Sequence, residues 1–278
     1  MEKTGSEMIG RSGIFLACTE DNHTVFENII PEHILVYVYN GTMEVSTADG
    51  TITIARGQAA LLGRNQLAKF IKKPGDHASY KAATVFLDQP FLKKFYEFIV
   101  DAPSGKERRV SVVLFKSHPL LENLFRSVLL FSDLGESVVP LDLAQLKMQE
   151  AVTLLRLLDH STDDILLDFS EPHKINLKDF MQKNFMFNIP LSRFAYLTGR
   201  SLATFKRDFR KAFHVPPQKW LTESRLEYAR FLIIERHMRP SNAFVEAGFE
   251  NFSHFTFAFK NFFGYNASSL VSRQTNDS

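Results

Sequence analysis

Apolar positions in the first ninety residues come in short runs of strand length, whereas in the last hundred they recur every three or four residues. Residues 12–18 and 24–30 are two such short runs. Residues 33–39 are rich in β-branched and aromatic side chains and end at Asn40-Gly41, a dipeptide that supplies the positive φ angles of a tight hairpin turn. Residues 42–47 alternate, Asp49-Gly50 marks a second hairpin, and residues 51–54 alternate again. Arg56-Gly57 turns the chain before the run 58–62, and runs at 66–71 and 80–87 follow. Strands at this short, even spacing predict an antiparallel barrel or jelly roll over about residues 10–88.

From Pro90 the period becomes helical. Residues 91–100 repeat their apolar side chains at helical spacing, Pro119 opens a helix running through Phe131, and Pro140 opens another over 141–158. The last of these sets Leu141, Met148, Val152 and Leu155 on one stripe. Such a stripe is buried, either against the chain's own barrel or as a dimer seam. Residues 159–174 are polar and carry a proline, which marks a linker. The expected organisation is a first domain over 1–160, with its helices at about 90–160, a linker over 161–174, and a second domain over 175–273.

Two helix-turn-helix patterns stand end to end in that second domain, at about 191–213 and 240–263. In each, a short apolar helix stops at a glycine, Gly199 or Gly248, and a second helix follows after a few residues. The turn lets the pair cross steeply, so that the second helix can enter a major groove while the first braces it. The predicted fold class is α+β: an antiparallel β-barrel followed by helices, then an all-α domain whose two helix-turn-helix motifs are joined by a long helix.

Charge sharpens this division. The net charge of +2 hides an asymmetry: residues 170–278 hold 16 Lys/Arg against 9 Asp/Glu, a net of +7, and residues 1–169 hold 17 against 22, a net of −5. A basic half joined to an acidic half suggests a polyanion-binding module carried by something else.

In the helix opening at Ser201, Leu202, Phe205, Phe209 and Phe213 share one face and are expected to pack inward. The opposite side carries Ala203, Thr204, Lys206, Arg207 and Arg210, and Ser201 sits where an N-cap belongs, so that its end of the helix favours a nearby phosphate. Lys206 and Arg207 are long donors suited to guanine O6 and N7 or to phosphate. In the second pair Phe252, Phe255, Phe259 and Phe262 form the expected core stripe, with Ser253, His254 and Phe257 facing outward. Lys260 is the single cation between Pro240 and Phe263, against Glu246 and Glu250. A phenylalanine at 257 cannot donate to a base edge, although it can touch a thymine methyl. His254 fits a buried histidine as well as a DNA contact.

Other chemistries find little support in the residues. His23, His33 and His77 are scattered, with no His-x-His pair, and neither a phosphate-binding glycine loop nor a nucleophile motif is present, so no metal, cofactor or catalytic residue is assigned. The one cysteine, Cys18, reads as buried filler and fits a reducing cytoplasm. No apolar run approaches the roughly 20 residues that span a bilayer, and the first ten residues lack a signal peptide's apolar stretch, so a cytoplasmic protein is expected. Phe15, Tyr37, Tyr39 and Phe86, with Phe26 and Phe70, are bulky strand residues that either fill the barrel or line an effector pocket.

Residues 175–273 resemble the DNA-binding domain of the AraC/XylS family of transcription regulators. The resemblance lies in the first helix pair, in the connecting helix with its Arg225, Ala229 and Leu232 pattern, and in the run Ala247-Gly248-Phe249-Glu250-Asn251-Phe252-Ser253-His254. It implies double-stranded promoter DNA and RNA polymerase as partners, activation as the outcome, and Ala203, Lys206 and Arg207 as base-facing positions. The first half resembles the cupin-like effector and dimerisation domain of such regulators, including a subgroup that activates type III secretion genes. That likeness rests on Leu35-Val36-Tyr37-Val38-Tyr39-Asn40-Gly41, Ala55-Arg56-Gly57-Gln58 and Phe86-Leu87-Asp88-Gln89-Pro90-Phe91. It implies control by a small molecule or, alternatively, by a protein partner, and a homodimer through the helix at 141–158.

Overall fold

The short apolar runs of the first ninety residues form strands, but in two sheets rather than one closed barrel. The structure, a computed structural model, describes residues 13–19, 24–75, 78–97, 99, 111–133 and 139–270, which divide into two units, Met1–Glu171 and Pro172–Ser278. In the first unit the strands are β1 (Ile14–Thr19), β2 (Thr24–Ile30), β3 (His33–Asn40), β4 (Thr42–Thr47), β5 (Gly50–Ala55), β6 (Ala59–Leu62), β7 (Gln66–Lys73), β8 (Tyr80–Leu87) and β9 (Val112–Phe115). One sheet runs β1-β8-β3-β6-β9, the other β2-β7-β4-β5, and their pairings are antiparallel. This is the double-sheet arrangement of a jelly roll.

The turn at Asn40-Gly41 is not a hairpin. β3 belongs to one sheet and β4 to the other, so the turn is a corner that carries the chain between them. Gly41 has φ +80°, and a Cβ there would stand 2.3 Å from the Lys73 carbonyl oxygen. Arg56-Gly57 is the return corner from β5 to β6, whereas Asp49-Gly50 does close a hairpin, with Thr47 opposite Gly50. A turn dipeptide specifies that the chain reverses, not which strand it then pairs with.

Alternation on β3 and β6 explains the layering. Val36, Val38, Ala60 and Leu62 face the second sheet and pack with Met43, Val45, Ile54 and Phe70. Leu35, Tyr37 and Leu61 face the opposite way, onto the helices α1 (Gln89–Tyr96), α2 (Pro119–Asp133) and α3 (Leu141–Leu158). Asp88 caps α1 by accepting from the Phe91 amide at 2.8 Å, and the helix stops at Glu97, short of the expected 100.

On α3, Met148, Val152 and Leu155 are buried in this same helix–sheet core. The stripe expected to serve either as core or as seam is thus intramolecular at three of its four residues. Leu141 is the exception and is exposed, as are Leu146 and Leu157. The expected linker is also partly folded. A 3-10 turn (His160–Thr162) leads into α4 (Asp163–Leu166), whose Ile165 and Leu166 join the core. Asp163 accepts hydrogen bonds from the Tyr96 hydroxyl and, at 2.7 Å, from Arg156 Nε. The polar composition of 159–164 concealed a carboxylate buried with its partners.

The second unit is helical: α5 (Leu177–Asn184), α6 (Leu191–Leu197), α7 (Leu202–Phe213), α8 (Pro217–Glu235), α9 (Pro240–Glu246) and α10 (Phe252–Phe263). On α8, Leu226, Ala229, Leu232 and Ile233 are buried with Ala243, Phe255 and Phe259. Arg225 is buried beside them. Its Nε and Nη2 donate to the Phe185 and Phe187 carbonyls at 2.8 Å each, so this arginine ties α8 to the chain leaving α5.

Candidate nucleic-acid interface

The pair α6–α7 turns at Thr198, Gly199 and Arg200. Thr198 is buried, its hydroxyl donating to the Phe194 and Ala195 carbonyls, and this closes α6. Gly199 has φ +63°, and a Cβ there would lie 2.3 Å from the His173 carbonyl carbon, so only glycine fits. Ser201 then caps α7, its Oγ accepting from the Thr204 amide at 3.2 Å.

Phe205 and Phe209 are buried, with Trp220 packed edge-on against Phe209 at 5.6 Å. Ser201, Ala203, Lys206, Arg207, Arg210 and Lys211 are exposed and Thr204 is half-buried. Leu202, the first residue of α7 after its cap, departs from its expected inward place and is 39% exposed. Arg207 is 65% exposed and touches Asp208 only at 3.5 Å.

Arg200 has the opposite character. Its side chain is 6% exposed, and it donates to the Ile175 and Thr198 carbonyls and to Asp208. Asp208 is held below its ordinary carboxylate value, first by the hydrogen bond from Arg200 and also by the nearby charges of Lys174 and Arg207. The one acid of α7 is therefore occupied by the scaffold.

The pair α9–α10 repeats this geometry fifty residues on. Gly248 has φ +87°, and its Cβ would meet the Met186 carbonyl oxygen at 2.1 Å. Asn251 caps α10 by accepting from the His254 amide at 3.0 Å, as Ser201 caps α7. Phe255 and Phe259 are buried where Phe205 and Phe209 are. Both helices end on a residue with positive φ, His214 and Gly264.

By this equivalence Ser253 stands for Ala203, His254 for Thr204, Phe257 for Arg207 and Lys260 for Arg210. All four are exposed, Phe257 at 68%, so His254 is not a buried histidine. Phe252 and Phe262, expected in the core stripe, are also exposed, because two phenylalanines already fill the space beneath α10. Arg236, His237 and Arg239, just before α9, are exposed as well. They were missed among the candidates, although their clustering beside a helix start is legible and suits phosphate contact.

The four effector-pocket candidates do not converge. Tyr37 stacks on Phe125 at 4.7 Å, and the Tyr39 hydroxyl donates to the Phe125 carbonyl at 2.6 Å, both on the helix-covered face of the first sheet. Phe15 meets Phe86 edge-on at 4.8 Å, and Phe86 packs against the core between the sheets. Cys18 is exposed, 3.5 Å from the Ser79 hydroxyl, and is not filler. His33 is buried and its Nδ1 accepts from the Arg64 amide, while His23 and His77 lie outside the described residues. Among the described residues, no three His, Cys, Asp or Glu gather as metal ligands and no helix is long and apolar enough to cross a membrane.

Comparison with known proteins gives matches to both units. A helix-turn-helix domain matches residues 194–273, and the ExsA N-terminal regulatory domain matches residues 33–169. The HTH-type transcriptional regulator ExsA of Pseudomonas aeruginosa is 27% identical over 263 residues, which cover 94% of this chain and 93% of that protein. The thermoregulatory protein LcrF of Yersinia pestis is 30% identical over 179 residues, covering 63% of this chain and 64% of that protein. Among solved structures, an apo ToxT variant from Vibrio cholerae aligns over 94% of this chain and 97% of its own, at 10% identity and a TM-score of 0.45.

Proposed function

Since this chain belongs to the AraC/XylS family of DNA-binding transcription regulators, we propose that it activates transcription by laying α7 and α10 in successive major grooves of promoter DNA. On this reading the two helices contribute unequally. α7 presents Ala203, Lys206 and Arg207 to base edges, with Ser201, Thr204 and Arg210 toward the backbone. α10 presents Ser253, His254 and Phe257, with Lys260 on phosphate. The observation that carries the reading is the positional equivalence of two capped helices whose outer faces are exposed and whose inner faces are spent on the core. α8, at 19 residues, is about 28 Å long. That length suits two helices set roughly 34 Å apart, one turn of DNA.

The first unit receives the signal, and RNA polymerase is the partner through which activation is delivered. The space between its sheets is filled by side chains such as Val38, Val45, Ile54 and Leu62, all fully buried. An effector therefore docks on the outside of the sheets rather than between them. A homodimer through the helix at 141–158 would use the exposed Leu146 and Leu157, not the buried stripe.

Binding across a randomised site library tests the unequal readout. Arg207→Ala should cost about 1–3 kcal/mol and relax the preference at one or two base pairs. Phe257→Ala should alter preference only at a thymine. Should His254→Ala or Phe257→Ala flatten the preference more than Arg207→Ala, the assignment of readout to α7 is wrong.

A further inference from the structure

A cleft of about 430 Å³ opens on the helix-covered side of the first sheet. Its walls are Tyr37 and Tyr39 of β3, Arg56 of the β5–β6 corner, Ser117, and Glu122 and Arg126 of α2. The size lies in the range of about 300–1,000 Å³ typical of small-molecule sites. The walls are firm: α2 is pinned to β3 by the Tyr39 hydroxyl, and the Tyr37 ring is stacked on Phe125.

Three of its polar groups are unmatched. Tyr37 is only 4% exposed, and no hydrogen bond to its hydroxyl exists among the described residues. The charges felt most strongly by that phenol are those of Glu122 and Arg56, both of them cleft walls, which puts the hydroxyl at the cleft. Nor do Arg56 and Arg126 take part in an ion pair among the described residues. The hydroxyl is not among the buried unsatisfied atoms, so it opens onto the cleft, as the exposed Arg56 and Arg126 do, and a ligand there would take the place of water on all three.

We propose that this cleft binds a small hydroxylated organic anion, with its carboxylate or phosphate held by Arg56, Arg126 and the Tyr37 hydroxyl and a hydroxyl or amino group donating to Glu122. Two guanidiniums against one carboxylate favour a negative ligand, and guanidinium is matched in shape to carboxylate and phosphate oxygens. An apolar ligand would leave all three donors unpaired. A bare inorganic ion would leave Glu122 unanswered. The effect of such a ligand on transcription rests on the reading of this unit as regulatory, but its binding does not.

The test is thermal melting of the full chain with gluconate, glucose 6-phosphate, inorganic phosphate or glucose, since a ligand of the folded state alone raises the melting temperature. Gluconate or glucose 6-phosphate should raise it, with glucose inert. The shift should vanish in the Arg56→Gln/Arg126→Gln double variant and shrink in Tyr37→Phe, which keeps the stacked ring and so separates a lost donor from a lost fold. No shift with either hydroxylated anion, an equal shift with inorganic phosphate, or a shift that survives in the double variant would each overturn the site. Promoter binding measured with the active probe then addresses regulation separately: an anion that binds but leaves DNA affinity and transcription unchanged keeps the site and removes the regulatory reading.

Discussion

Arg200, in the turn before α7, and Arg207, on α7 itself, differ first in exposure. Arg200 is enclosed by carbonyls and Asp208, while Arg207 reaches into solvent. Arg225 is the scaffold arginine of the other half, and Arg225→Ala would take its donor from the Phe185 carbonyl and leave the Phe187 carbonyl with the Ile189 amide alone. We expect it to lower unfolding stability by about 2–4 kcal/mol in denaturant titration, without changing the base preference of the folded fraction. Asp208 supplies a pH signature. Its folded value is depressed below the ordinary 3.8, so its contribution is complete above that value and lost as pH falls through the lower one. Asp208→Asn should therefore flatten the acid limb of stability below about pH 4 and leave its shape near neutrality unchanged. Of these roles only the local ones were legible in sequence. The Ser201 cap is a bond to a residue three positions on, so its pattern is short. Arg200 reaches Ile175, 25 residues back, and nothing in the spacing announces that.

At the scale of elements, periodicity specified which segments are helix or strand and left their partners open. α3 is the case in point: the stripe containing Met148, Val152 and Leu155 is real, and its partner is the helix–sheet core of its own unit. Leu155→Asp should then unfold the first unit rather than dissociate a dimer. The expected outcome is a loss of roughly 4 kcal/mol or more, seen as a lowered melting temperature with no protein-concentration dependence. Melting that becomes concentration-dependent would point to a seam instead. β9 escaped the sequence reading because Val112–Phe115 is only four residues long and pairs with β6, some fifty residues earlier. The corners at Gly41 and Gly57 were legible as turns, but passage to another sheet is decided by which face each strand buries. On α10, a run of phenylalanines read as one stripe because hydrophobicity alone cannot tell Phe255, which is buried, from Phe252 and Phe262, which are not.

For the molecule as a whole, charge and function divide along the same line. Residues 170–278 carry a net +7 and residues 1–169 a net −5. Promoter binding by the full chain should therefore weaken steeply with salt, the logarithm of affinity falling by about 0.9 per neutralised phosphate for each unit in the logarithm of salt concentration. Filter binding between low and physiological salt checks this, and a flat response would count against backbone contact by Arg210 and Lys260. The equivalence of α7 and α10 has a further consequence. One helix offers an arginine where its counterpart offers a phenylalanine, and their order along the chain is fixed. A single bound chain is thus an arrow rather than a mirror: it has a head and a tail on DNA. If the two helices read DNA as proposed, its target needs no palindrome, and the same site written backwards would turn the bound pair of helices end for end.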